Sequence, residues 1–145
     1  MNDRFKVRIW DKSFRKMLYN NLILCYKNKI TAYDYLDNTH KAYLPQDHIV
    51  IEQCTGKKDK NGTLIYEGDI VKSFVTDYLG KDYCLIGYIV WDIDRWQIKD
   101  VTGPVFFDLY DAVCDKDTGH DKNTIEVIGN IHENKELLKG EQECN

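Results

Sequence analysis

Long hydrophobic runs are missing from this chain. No stretch approaches the ~20 apolar residues that span a bilayer, and no basic segment followed by an apolar one stands at the start, as it would in a secretory signal. Proline is scarce, with two residues, and no segment rich in proline, glycine or serine divides the chain. We therefore expect a cytoplasmic protein that does not enter a membrane and that folds as one domain or as closely joined subdomains.

Cysteine pairs of the metal-binding or redox kind are also absent. The five cysteines, at positions 25, 54, 84, 114 and 144, form no C-x-x-C pair and do not cluster with histidine. An odd number of scattered cysteines predicts free thiols in a reducing compartment, and argues against a disulfide framework or a zinc site. We expect no cofactor and no bound metal.

Charge is distributed unevenly along the chain. The formal net charge is −4, yet residues 1–30 contain eight Lys or Arg against two Asp. A basic arm beside an acidic remainder can pair within the chain, pair between subunits or bind phosphate backbones, and the overall acidity argues against the last. The candidate interaction surface comprises the basic residues of the first hairpin and of a later loop tip: Arg4, Lys6, Arg8, Arg15, Lys16, Lys57, Lys58 and Lys60.

Alternation of apolar and polar residues predicts a mostly β protein. Residues 5–10 alternate as a half-buried strand does, and residues 16–19 supply a partner strand. Further strands are predicted at 22–26, 30–36, 49–51, 64–66, 70–75, 83–91, 96–99 and 127–131. The segment 105–113 is ambiguous between a strand and a short helix.

These strands predict a small N-terminal sheet followed by an SH3-like β-barrel with one or two short helices, which is α+β at the margin. We place an N-terminal β subdomain at residues 1–55, the barrel at 56–134, and a helical turn with a polar tail at 135–145. Three tryptophans are expected as core or interface anchors: Trp10, Trp91 and Trp96.

Residues 53–71 contain the most specific local pattern. Asp59-Lys60-Asn61-Gly62 predicts a tight turn, because Asn and Gly tolerate positive φ and an Asp side chain accepts from nearby backbone N–H groups. Glu67-Gly68-Asp69 predicts a second turn. A calcium loop of the EF-hand type is an alternative, but with Gly62 in its sixth position the first would be Lys57 and the twelfth Gly68, neither of which supplies a carboxylate.

The sequence resembles the YopX family of bacteriophage and prophage proteins at three places. These are Arg8–Asp11 followed by Lys16-Met17, the segment from Gln53 to Val71, and Glu126–Asn134. The residues that carry the pattern include Trp10, Asp11, Thr55, Gly56, Asp59, Asn61, Gly62, Tyr66, Glu67, Gly68, Asp69, Gly129, Asn130, Glu133 and Asn134. Departures from it are Cys54, Lys57, His132 and Lys135, where an aromatic residue, leucine, tyrosine and proline are usual.

The resemblance implies a phage-derived, mostly β, homo-oligomeric protein of a bacterial host. It implies no assigned biochemical activity and no catalytic residues. We therefore interpret the chain as an accessory protein that self-associates and binds a phage or host protein. Because a basic hairpin facing an acidic body suits a contact between subunits, reversing Arg8 and Arg15 to glutamate is expected to weaken assembly.

Two alternatives use other residues. A nucleic-acid-binding or regulatory module would use the basic hairpin and the Lys57–Lys60 loop, with aromatic side chains that stack on bases. A small metal-dependent hydrolase would use the carboxylates Asp92 and Asp94, or the acidic tract with Asp115, Asp117, His120 and Asp121. Turn-capping carboxylates and a solvated acidic loop are the simpler interpretations of these two groups.

Overall fold

The protein is built almost entirely of antiparallel β-strands. The structure, a computed structural model, describes residues 6–19, 22–26, 29–37, 40–44, 46–76, 79–113 and 124–139. Its strands are β1 (Val7–Asp11), β2 (Lys16–Tyr19), β3 (Leu22–Tyr26), β4 (Lys29–Asp37), β5 (His40–Leu44), β6 (Ile49–Lys58), β7 (Leu64–Tyr66), β8 (Asp69–Thr76), β9 (Asp82–Asp92), β10 (Arg95–Asp100), β11 (Phe106–Asp108) and β12 (Glu126–Asn130). The prediction of a mostly β chain is confirmed.

Helices are few and short in the described residues. The helix α1 covers Leu109–Val113, and 3-10 helices cover Gln46–His48 and Lys135–Lys139. A helix that meets the length and apolarity needed to cross a bilayer is not found in this part of the chain.

The strands form three sheets. One has the order β2-β1-β6-β7, a second has the order β3-β4-β5, and the largest has the order β11-β10-β9-β8-β12. In the largest sheet four consecutive strands run as a meander, and the last strand returns to pair with the first of them. This arrangement gives the curled half-barrel that the SH3-like prediction describes.

One apolar core fills the half-barrel. Its buried members come from β7 through β10, from α1 and from the residue just before β12, and they are Ile65, Val71, Leu85, Ile89, Ile98, Leu109, Val113 and Ile125. Each such side chain stabilises the fold by roughly 1.5–3 kcal/mol relative to exposure. Because β7 belongs to the first sheet, Ile65 extends that sheet into the half-barrel core.

A smaller core lies on the first sheet. Ile9, Leu18 and Ile49 are buried there and Ile51 packs against them. The strand β6 pairs with β1 over residues 49–53 and with β7 from Cys54 onward. The proposed subdomain boundary after residue 55 therefore falls inside one continuous strand, and that division stays a prediction.

The ambiguous segment 105–113 contains both structures, the strand β11 followed directly by α1. The strand β5 was not predicted, because its sequence His40–Leu44 has few residues and no clear alternation. The prediction that every thiol is free is wrong for Cys84, which forms a disulfide bond; Cys54 is free and buried. The acidic tract from Asp115 to Asp121 lies outside the described residues.

Candidate functional site

A buried ionic cluster joins the first sheet to the half-barrel. Its centre is Arg8, whose side chain is 4% exposed. The Arg8 Nε donates to Glu52 Oε2 at 2.8 Å, Nη1 lies 2.6 Å from Asp69 Oδ1, and Nη2 donates to the backbone oxygen of Glu67 at 3.1 Å. One guanidinium thus binds β6 and the turn that leads into β8.

Aromatic and imidazole rings surround this ionic centre. His132 Nε2 lies 2.7 Å from the second oxygen of Glu52, and the His132 ring stacks on Trp10 with centroids 4.9 Å apart. The Arg8 guanidinium lies 4.9 Å from the centre of the Tyr66 ring. We call Arg8, Glu52, Asp69 and His132 the Arg8 cluster. It draws together parts of the chain as distant as β1 and the turn after β12.

Local sequence explains how each member reaches its place. Arg8 and Glu52 are direct cross-strand partners in the β1–β6 pairing. Asp69 begins β8 after the Glu67-Gly68 turn, and its Oδ2 accepts from the Tyr66 backbone N–H at 2.8 Å. Gly68 has φ +78, and a Cβ on it would lie 2.2 Å from Glu52 Oε1. Only glycine leaves room there for the Glu52 carboxylate.

The charges of the cluster are unbalanced. Two buried carboxylates share one guanidinium, so negative charge is in excess unless a proton is taken up. Burial alone would lower the pKa of Arg8, but Asp69 and Glu52 outweigh it and raise that pKa. Burial raises the pKa of Asp69 to about 6, although Arg8 and the Tyr66 N–H act in the opposite direction.

This shift predicts a pH-dependent stability. Because the folded-state pKa of Asp69 lies above its ordinary value of 3.8, the folded state holds this proton more tightly. The resulting stabilisation is complete only below the ordinary pKa of 3.8 and is lost as the pH rises through about 6. We expect the wild type to lose stability relative to Asp69→Asn as the pH rises from 4 to 7. The difference between their unfolding free energies, measured by urea denaturation, should fall by a few kcal/mol. A difference that grows over this range would contradict the assignment.

Asp59 holds the predicted 59–62 turn. It is 5% exposed; its Oδ1 accepts from the N–H groups of Asn61 and Thr63, and its Oδ2 accepts from Val127 at 3.1 Å. The carboxylate is therefore occupied by backbone donors, as turn chemistry predicts. Thr55 has a similar structural role, since its hydroxyl donates to the Ile65 carbonyl at 2.9 Å.

The C-terminal part of the family pattern forms another tight turn. Asn130 Oδ1 accepts from the backbone N–H of His132 and Glu133, and its Nδ2 donates to the Glu133 carboxylate at 2.6 Å. Asn134 Oδ1 accepts from the Asn130 N–H, and a Cβ on Gly129 would lie 2.5 Å from that oxygen. These contacts orient His132 toward Glu52.

The predicted interaction surface requires a correction at Arg8. Its side chain is buried and ion-paired, because Glu52 and Asp69 converge on it, so it cannot belong to an exposed surface. Reversal of Arg8 would therefore test folding and not assembly.

The other basic residues of that surface lie as follows. Lys6, Arg15, Lys58 and Lys60 are exposed, whereas Lys16 and Lys57 are half-buried. Lys60 pairs with Glu126, and Lys57 lies over the Tyr110 ring. Arg4 lies outside the described residues.

Asp92 and Asp94 flank the β9–β10 turn. Asp94 pairs with Arg95, whose Nη1 also approaches Asp108 at 3.4 Å. No group of three potential metal ligands was found among the residues that the structure describes. The Asp94 carboxylate is therefore occupied by Arg95, and the turn-capping role of the two carboxylates stays a prediction.

An aromatic groove lies beside this turn and was not predicted from the sequence. It is lined by Trp91, Trp96, Leu109 and Tyr110, with a volume of about 280 Å³. Trp91 and Trp96 meet edge to face at 5.0 Å. We call these four side chains the aromatic groove. The one available signal was the pair of tryptophans flanking a four-residue turn.

Comparisons with known proteins agree with these observations. The family model described as YopX protein matches residues 6–139. The crystal structure of protein EF1440 from Enterococcus faecalis is similar, with a TM-score of 0.56 and 26% identity, over 92% of this chain and 96% of that one. No curated protein matches the chain.

Proposed function

The chain belongs to the YopX protein family, and we propose that it is a phage- or prophage-encoded accessory protein of the bacterial cytoplasm that self-associates and acts by binding. The family pattern supports binding over catalysis. Its residues lie in tight turns and in the Arg8 cluster, where Arg8, Glu52 and Asp69 are at most 4% exposed. These side chains are committed to one another and to the backbone, and they hold the sheets together.

The observation that carries the proposal is the exposure of large apolar side chains, which include those at the β1–β2 hairpin and around the aromatic groove. At the β1–β2 hairpin Phe14 is 76% exposed and Tyr19 is 54% exposed. Around the aromatic groove the exposed fractions are 53% for Trp91, 91% for Ile93 and 59% for Tyr110. At the aromatic groove Trp91 and Tyr110 lie on one surface, and exposed clusters of this kind mark protein-binding surfaces, where aromatic anchors supply most of the energy.

The test is the solution mass of the purified protein, measured by light scattering over a range of concentrations at low and high salt. We expect a defined oligomer whose mass exceeds that of the 17.1 kDa chain. A contact that uses charge should weaken with added salt, because the screening length shortens. A monomer at every concentration would contradict self-association.

Nucleic-acid binding is the second candidate, and one observation favours it. Lys12, Arg15 and Lys135 line a cavity of about 400 Å³ beside Trp10 and His132. Two carboxylates, Glu133 and Glu136, line the same cavity and reduce its positive charge. If this candidate is correct, oligonucleotides bind at low salt with an affinity that falls steeply as salt is added. Absence of binding at low salt would exclude it.

A further inference from the structure

A polar cavity lies beside the Arg8 cluster, between the β1–β2 turn and the turn after β12. Its lining includes three cations, Lys12, Arg15 and Lys135, and two carboxylates, Glu133 and Glu136. Its volume of about 400 Å³ lies within the ~300–1,000 Å³ typical of small-ligand sites. We call it the basic cavity, because cations outnumber carboxylates in its lining, three to two.

The cations of the basic cavity are open to a ligand. None of the three pairs with a carboxylate within the part of the chain that the structure describes. Lys12 Nζ donates to the Asp47 backbone oxygen at 3.3 Å, which uses one of the three N–H groups of its ammonium. Arg15 and Lys135 form no hydrogen bond or ion pair with the described residues. Their donors are therefore available to an anion.

The two carboxylates, in contrast, are held by neighbouring amide groups. Glu133 Oε2 accepts from Asn130 Nδ2 at 2.6 Å, and Glu136 Oε1 accepts from Asn134 Nδ2 at 3.4 Å. Both contacts belong to the turn after β12. The side of the cavity that the β1–β2 turn forms therefore carries cations and no carboxylate, and that side suits an anion.

His132 adds a polar nitrogen to the same cavity. Its Nε2 lies 2.7 Å from Glu52 Oε1, and an ionised carboxylate can only accept, so Nε2 carries a proton. Among the described residues the other ring nitrogen, Nδ1, has no hydrogen-bond partner, and the ring lines the cavity. Nδ1 can accept the O–H of a hydrogenphosphate, or donate to a phosphate oxygen once it is protonated.

We propose that the basic cavity binds a phosphate group, carried by a small phosphate monoester or by a nucleic-acid backbone. Three separate cations suit a tetrahedral anion with several oxygens, and the Arg15 guanidinium can bind two of those oxygens at once. The turn that holds Arg15 is fixed in advance, because Asp11 Oδ1 accepts from the N–H groups of Ser13 and Phe14. This inference does not depend on self-association, which light scattering tests separately.

The test is a titration of the full chain with inorganic phosphate at low salt, with chloride at matched ionic strength as the reference. Two-dimensional proton–nitrogen NMR spectra report the indole N–H signals of the three tryptophans, which Trp91→Phe and Trp96→Phe assign. Trp10 lines the basic cavity, and the other two line the aromatic groove. We expect a saturable shift of the Trp10 signal alone. Absence of that shift, or an equal response of all three signals, would overturn the proposal.

Four variants test which side chains hold the phosphate. Arg15→Met and Lys135→Met should each weaken binding by up to about tenfold, since each removes charged donors. Glu136→Gln should strengthen it by about two- to fivefold, because a repelling carboxylate is lost. The matched control is Lys139→Met, which removes an exposed cation from the 3-10 helix that contains Lys135 but does not line the cavity. Equal affinities in Arg15→Met and Lys139→Met, or weaker binding by Glu136→Gln, would contradict the assignment.

The two sources of the phosphate group are separated by further titrations. Thymidine 5′-monophosphate should shift the Trp10 signal and thymidine should not, if a monoester binds. An oligothymidylate without a terminal phosphate should shift it if the cavity takes a backbone phosphate. Binding of the monoester without the oligonucleotide would keep the site and exclude nucleic acid as its ligand. If inorganic phosphate binds but neither of these compounds does, the cavity takes a free ion only and the proposal is overturned.

Discussion

Replacing Arg8 with methionine should lower the free energy of unfolding by about 3–5 kcal/mol. Methionine is similar in length but carries no charge, so Glu52 and Asp69 would remain buried without their cation. Both carboxylates are 2% exposed in the folded protein. Water can replace the guanidinium only if the first sheet separates from the half-barrel. Urea denaturation followed by tryptophan fluorescence measures the loss, because Trp10 stacks on His132 beside the cluster.

The matched control is Arg15→Met, which removes the same charge from an exposed position and should change stability by less than about 0.5 kcal/mol. Adding Glu52→Gln and Asp69→Asn to Arg8→Met should recover part of the lost stability, because the unpaired charges are removed together. If Arg8→Met and Arg15→Met were equally stable, the ionic cluster would not be a significant contributor to the fold.

Replacing Gly68 with alanine should also be strongly destabilising, and Gly62 provides the comparison. Both glycines have positive φ, +78 and +84, so alanine is strained at either position. At Gly62 nothing lies within 4 Å of the added Cβ, whereas at Gly68 the Cβ would lie 2.2 Å from Glu52 Oε1. We expect Gly62→Ala to cost about 1–2 kcal/mol from backbone strain, and Gly68→Ala to cost roughly 2 kcal/mol more.

The additional cost arises because Glu52 must move away from Arg8 and His132. Thermal unfolding of the two variants in parallel isolates this difference, since the backbone strain is common to both. The double variant Gly68→Ala with Glu52→Ala should then cost little more than Glu52→Ala alone, apart from the strain. Equal losses in Gly62→Ala and Gly68→Ala would show that the turn closes without contacting Glu52.

Features that depend on neighbouring residues were predictable from the sequence. The strand at Lys16–Tyr19 was predicted to the residue, and the 59–62 turn forms as its asparagine and glycine require. The burial of Arg8 was not predictable in this way. Its partner Glu52 is 44 positions away, and the surrounding basic residues made Arg8 resemble part of a charged surface.

The candidate binding surfaces also could not be fully predicted from the sequence. Trp91 and Trp96 were expected as anchors, but the groove also needs Leu109 and Tyr110, which belong to a segment whose conformation was ambiguous. Sequence alternation does not reveal that α1 packs against β10 and β8. The exposure of Phe14 likewise depends on how Asp11 fixes the turn, a contact that spacing alone does not specify.

The position of His132 has a consequence for the order in which the protein folds. The Arg8 cluster needs β1, the middle of the chain and the turn after β12, and His132 is 80 positions from Glu52. Since the N-terminus emerges from the ribosome first, Arg8 and Glu52 leave the exit tunnel long before His132 does. Until then His132 cannot stack on Trp10. The cluster therefore closes only after His132 has been synthesised. Contacts between residues this distant in the sequence also slow folding. A chain truncated before His132 should lack the contact between His132 and Glu52 of the first sheet.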